Sequence, residues 1–131
     1  MKDFVIFSIN PGSTSTKISA FHGDEKIFIK NVKHELISDY RQPFGEGVKF
    51  YKELILKELS TFPDFKISQV DAFVGRGGGL IPCKSGTYEI NDIMIKNTHD
   101  RILVFLHPAA YAPQIAYEFA KENGKKAYTV N

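Results

Sequence analysis

Two apolar runs rich in β-branched and aromatic residues, Phe4 to Ile9 and Ile18 to Phe21, flank the stretch Asn10-Pro11-Gly12-Ser13-Thr14-Ser15-Thr16-Lys17. Such runs favour extended backbone, and Asn, Pro and Gly in succession break it, so the stretch predicts a turn between two strands. A third apolar stretch, Lys26 to Val32, follows the polar break Gly23-Asp24-Glu25. The opening of the fold is therefore a three-stranded antiparallel meander.

The pattern then changes period. From Gly47 to Phe62, the apolar residues Val48, Tyr51, Leu54, Ile55, Leu59 and Phe62 recur at three and four, which predicts a helix with one buried face and Pro63 as its stop. Val70 to Val74 is the apolar centre of a strand that runs into Gly75-Arg76-Gly77-Gly78-Gly79, where a packed chain needs a tight bend free of side chains. Tyr88 to Lys96 predicts a short helix opening at Asn91, while Ile102 to Leu106 fits a strand and a buried helix equally. Pro108 suits a first helical turn, Ala112, Ile115, Ala116, Phe119 and Ala120 mark a packed helical face, Gly124 is placed as its cap, and Lys125 to Val130 is a last strand. The order βββαβ(α)αβ is α/β, a meander extended by parallel strands with crossover helices.

With 131 residues, 43% of them hydrophobic, and no Pro/Ser-rich linker, the chain is read as a single domain, 1–131. The formal charge of +2 comes from mixed signs, and Lys125-Lys126 is too short for a phosphate-backbone patch, so no nucleic-acid partner is expected. Cys83 is the only cysteine, which excludes an internal disulfide and a multi-cysteine zinc site. The first apolar run is too short for a signal-peptide core, and nothing approaches the roughly 20 apolar residues of a membrane span. These features suit a cytoplasmic protein without a membrane partner.

The hairpin carries the chemistry. Four hydroxyls, from Ser13, Thr14, Ser15 and Thr16, and the Lys17 ammonium gather with the amides of a turn, and an oxyanion suits such a concavity. The same residues also make an ordinary turn with solvent-facing hydroxyls, and both readings stand on spacing alone. The stretch is not a P-loop, since one glycine precedes Lys17 and the residues beyond look extended. Asn10, Gly75-Arg76 and Asn131 all fall at carboxyl ends of expected strands, where open α/β sheets bind ligands. Cys83, His22, His34 and His99 have no spacing that makes a metal set or a nucleophile and base, and are read as structural or surface residues.

Four stretches in order, I-N-P-G-S-T-S-T-K at Ile9 to Lys17, V-G-R-G-G at Val74 to Gly78, G-T-Y-E-I-N at Gly86 to Asn91 and I-A-Y-E-F-A-K-E at Ile115 to Glu122, resemble the N-terminal part of the butyrate kinases. These belong to the acetate kinase family of the actin-like, Hsp70-like and sugar kinase-like phosphotransferases. The resemblance implies a ribonuclease H-like domain forming the N-terminal half of a two-domain enzyme, with the C-terminal domain absent here. The implied reaction is ATP + butyrate = ADP + butyryl phosphate, with Mg²⁺. It also implies that Asn10, Gly12, Ser13, Ser15 and Lys17 face phosphates and the metal's water shell, and that Arg76 and Gly77 hold the carboxylate or acyl phosphate. His107 would donate to the transferring phosphoryl oxygens, and Asn131 would touch the metal through water.

Two departures stand out. Asn131 occupies a position where the family usually has Asp, and Leu106-His107-Pro108-Ala109-Ala110-Tyr111 differs from the Glu-His-Ala-Ser-Asn pattern of butyrate kinases. The expectations are thus an acyl kinase fragment, inactive alone, with a separate C-terminal half or a further copy in a homo-oligomer as its expected partner, or a stand-alone anion-binding module without turnover. Acetate- or propionate-type specificity stays open, because one methylene changes binding by only about 1–3 kcal/mol.

Overall fold

A computed structural model describes residues 4–35, 44–76, 86–92, 95 and 111–130. Strands β1 (Val5–Pro11), β2 (Ser15–His22) and β3 (Glu25–Lys33) precede helix α1 (Phe44–Leu59) and a 3-10 turn (Ile67–Gln69). Strands β4 (Ala72–Arg76) and β5 (Thr87–Glu89), helix α2 (Ala112–Glu122) and strand β6 (Lys126–Val130) complete the described elements.

They form one six-stranded sheet in the order β3-β2-β1-β4-β6-β5. The meander pairs as expected, β1 antiparallel to β2 and β2 antiparallel to β3. A two-residue turn, Gly23-Asp24, joins β2 to β3, and Gly23 takes φ 60° while no non-glycine residue has positive φ among the described residues. That is the demand of a type II′ hairpin, met at its first central position by the residue without a Cβ. Parallel pairing of β4 with β1 and of β6 with β4 then extends the meander.

Helices α1 and α2 lie on the same face. Strand alternation turns Phe7, Ile9, Ile18, Ala20, Phe28, Phe73 and Ala127 toward them, and these residues share one core cluster with Val48, Tyr51, Ile55 and Leu59 of α1 and Ile115, Ala116, Phe119 and Ala120 of α2. Phe7 touches Phe28, Phe65 and Phe73 with ring centroids 6.3, 6.1 and 6.1 Å away, and Phe73 stacks on Phe119 at 6.0 Å. Lys52 links the helices, its Nζ lying 2.8 Å from Glu122 and 3.3 Å from Glu118 and above the Phe119 ring. The periodic faces read from the sequence are thus the buried faces.

Four boundaries differ from the sequence expectation. Helix α1 ends at Leu59, before Pro63, because the Ser60 and Thr61 hydroxyls donate to the Lys57 and Glu58 carbonyls and the backbone tightens to three-residue bonds. Val70 closes the 3-10 turn, so β4 starts at Ala72. Tyr88 belongs to β5, an added strand antiparallel to β6, and the helical turn expected here opens behind it, with Ile95 N–H donating to the Asn91 carbonyl at 3.1 Å. A three-residue strand carries too few alternations to show in a sequence pattern. Helix α2 has Pro113 in its first turn, and residue 108, expected there, lies outside the described residues. Its carboxyl end follows expectation, with the cap at Asn123 and Gly124 beyond it at φ 66°.

Gly75 sits where α2 crosses the sheet. A Cβ there would lie 2.4 Å from the Ala112 carbonyl oxygen, so the first turn of α2 reaches β4 only because position 75 has no side chain. Thr129 pairs with Gly75 on this face and is buried, and its hydroxyl has no hydrogen-bond partner among the described residues.

Candidate functional site

The candidate residues lie where β1, β2 and β4 end or begin at one rim of the sheet. In β1, Ile9 and Pro11 are buried and Asn10 is exposed; in β2, Thr16 and Ile18 are buried and Lys17 is exposed. Asn10 and Lys17 are direct cross-strand partners, so their side chains emerge together on the face opposite the helices. Arg76 is exposed at the carboxyl end of β4, one residue beyond the pair Ile9–Gly75, and is itself partnered by Val130 of β6. Lys17, Asn10, Arg76 and Val130 therefore form a row across four adjacent strands.

Neighbouring strands are about 4.8 Å apart, which puts the backbones of Lys17 and Arg76 roughly 10 Å from each other with Asn10 between them. That span fits an anion with more than one charged group. Neither cation is paired within the described residues, where every salt bridge involves other lysines. Two exposed cations with a hydrogen-bonding amide between them raise the local positive potential and favour an oxyanion.

The connection from β1 to β2, Gly12 to Thr14, lies one residue pair beyond Asn10 and Lys17. Ser13 and Ser15 are half-buried and make no side-chain hydrogen bond among the described residues, so their hydroxyls stay available. Thr16 is different. It is fully buried, and its Oγ1 lies 3.0 Å from His34 Nε2. Behind the loop, Tyr51 of α1 donates its hydroxyl to the Gly12 carbonyl at 2.8 Å.

Of the residues singled out from sequence, the structure brings Asn10, Gly12, Ser13, Ser15, Lys17 and Arg76 to one rim. Gly77, His107 and Asn131 lie outside the described residues. Tyr51 and His34 were not read as parts of the site. Tyr51 was legible only as one more residue of an apolar stripe, though a tyrosine in such a stripe must place its hydroxyl somewhere. His34 offered no spacing signal, because its partner Thr16 sits 18 residues away on β2.

The donor set fits phosphate groups: two cations, two free hydroxyls and turn amides. Among the described residues, no group of three or more His, Cys, Asp and Glu side chains comes together to hold a metal ion. A Mg²⁺ ion suits this rim through phosphate oxygens and water, since that ion keeps several waters.

Comparison with known proteins follows the same line. No protein-family model matches the chain. Butyrate kinase 2 of Clostridium acetobutylicum is 36% identical over 130 residues, 98% of this chain and 36% of that protein. Butyrate kinase 1 of the same organism is 38% identical over 125 residues, 94% of this chain and 34% of its own length. The chain is a relative of the butyrate kinases. It spans about a third of the length of these butyrate kinases, in keeping with their N-terminal portion. The crystal structure of Porphyromonas gingivalis acetate kinase superposes with a TM-score of 0.56 at 19% identity, covering 97% of this chain and 37% of that one. The fold is therefore the ribonuclease H-like, actin-like fold found in acetate kinases.

Among the described residues no helix is long and apolar enough to cross a membrane.

Proposed function

We propose that the chain is the phosphate-binding lobe of a short-chain fatty acid kinase that catalyses ATP + butyrate = ADP + butyryl phosphate and acts in the cytoplasm. The observation that carries this reading is the row Lys17–Asn10–Arg76 beside the Gly12–Thr14 turn, in a chain 36% identical to a butyrate kinase over nearly its whole length. Phosphoryl transfer asks a protein chiefly for in-line positioning and for stabilisation of charge on the equatorial oxygens. Lys17, Ser13, Ser15, Asn10 and the Gly12 turn would hold the phosphates. Arg76 would grip the carboxylate or acyl phosphate through its planar fork, and Gly77 is assigned to the same substrate.

His107 would donate to the transferring phosphoryl group and Asn131 would order metal-bound water. Mg²⁺, entering with ATP, supplies charge neutralisation on the phosphates. On this reading the chain is one of two lobes, and the second, supplied by continuation or by a partner, covers the other side of the nucleotide. Alone, it leaves the row open to water, which weakens its electrostatics.

The test is hydroxamate trapping of acyl phosphate with ATP, Mg²⁺ and C2 to C5 acids, on the 131-residue chain and on a chain completed with a butyrate kinase second half. The expected result is silence from the first and turnover from the second, with a preferred acid. In the completed enzyme, Arg76→Ala should lower turnover by roughly 10²-fold or more with the fold intact. Silence from both, with inorganic phosphate still bound, would instead favour an anion-binding module without turnover.

A further inference from the structure

We propose that Tyr51 and His34 are positioning residues that hold the β1–β2 turn in a phosphate-ready shape; this rests on the function proposed above. The anchors alternate along the turn. The Gly12 carbonyl accepts the Tyr51 hydroxyl at 2.8 Å, the Thr14 carbonyl accepts the backbone N–H of His34 at 2.9 Å, and the Thr16 hydroxyl meets His34 Nε2 at 3.0 Å. Positions 12, 14 and 16 are thus tied to the protein. The side chains of Ser13, Ser15 and Lys17, between and beyond them, make no hydrogen bond among the described residues.

Peptide planarity turns this into a directional device. Within one trans peptide unit the C=O and N–H point opposite ways, so fixing the Gly12 carbonyl toward Tyr51 aims the Ser13 N–H away from the core. That N–H has no acceptor among the described residues. An outward amide beside two free hydroxyls is what a phosphate oxygen needs.

The anchors are themselves held. His34 Nδ1 lies 2.8 Å from the Glu35 carbonyl oxygen, which only accepts, so Nδ1 carries the proton. In the neutral ring, Nε2 is then the acceptor for the Thr16 hydroxyl, which keeps that hydroxyl turned from the ligand side. The Tyr51 ring is fully buried, edge-on to His34 at 5.9 Å and against Tyr111 at 5.5 Å, and Phe50 packs on His34 at 5.5 Å. A locked ring places a hydroxyl more sharply than a loop residue does.

Titration of the 131-residue chain with inorganic phosphate, together with ¹⁵N order parameters for Gly12 to Thr16, tests the proposal. Tyr51→Phe removes only the hydroxyl. The expected outcome is phosphate affinity weaker by roughly three- to tenfold and lower order at Ser13 and Thr14, with the melting transition still cooperative. His34→Ala should act likewise, whereas His34→Gln, whose amide can meet the Thr16 hydroxyl, should recover most of the binding.

Phosphate affinity and loop order unchanged in both Tyr51→Phe and His34→Ala would overturn the assignment, and so would equal losses in His34→Gln and His34→Ala. A wild-type chain with an ordered turn that binds no phosphate overturns the ligand role together with the proposed function. That failure appears before any variant is made.

Discussion

At position 75 the fold leaves no choice of side chain. A Cβ would stand 2.4 Å from the Ala112 carbonyl oxygen, and both groups are backbone-fixed, on a strand and in the first turn of a helix. Gly75→Ala should therefore destabilise the protein by about 1–3 kcal/mol, the usual cost of overpacking, as a lower urea midpoint at constant slope. Phe119 presents the opposite error. It is buried and stacked on Phe73, so Phe119→Ala should cost about 3–5 kcal/mol through lost burial and a cavity. These two sites were readable to different degrees. The α2 face, Phe119 included, followed from a spacing of three and four, while Gly75 announced a bend but not the helix that crosses it.

Between elements, Lys52 is the tie to test. Burial lowers its pKa, yet the Glu122 hydrogen bond and the charges of Glu118 and Glu122 outweigh burial, and the pKa is raised above its ordinary 10.5. The side chain is 16% exposed, while both glutamates are about half exposed, so the tie is worth about 1 kcal/mol. A raised folded pKa stabilises while the lysine is charged in the unfolded chain too, and the gain disappears as pH climbs through the folded value. The stability difference between wild type and Lys52→Met should accordingly be constant from neutral pH to about 10 and shrink above it. A difference independent of pH up to full lysine deprotonation would remove the ion pairs as its cause. Helix α1 was legible because sixteen residues repeat its stripe more than four times, whereas β5 offered three residues and escaped notice.

In the whole molecule, one cluster of buried residues runs from Phe28 under the meander to Ala127 under β6, with both helices in it. Unfolding should be a single transition, with tyrosine fluorescence and far-ultraviolet circular dichroism giving coincident urea curves. Separate transitions would mean that the meander with α1 and the parallel strands with α2 are independent units. The face opposite the helices carries Ile6, Ile29 and Val130, with Ile29 52% exposed. Ile29→Thr on that face should then leave stability within about 0.5 kcal/mol of wild type, a check that position 29 contributes little to the core.

The sequence by itself determined the meander, the buried stripes of α1 and α2, and the chemical character of the rim, a cation and hydroxyls after Asn-Pro-Gly and an arginine among glycines. Each of these is written locally, in a period of two or 3.6 or in a turn residue, and local patterns survive in a string of letters. Tertiary structure alone decided which hydroxyls face the core, that Lys17, Asn10 and Arg76 share a row, and that a tyrosine 39 residues along the chain holds the Gly12 carbonyl. The reason is register. Strand order and helix docking set which distant residues meet, and a shift of one residue in a strand would turn that strand's side chains to the other face.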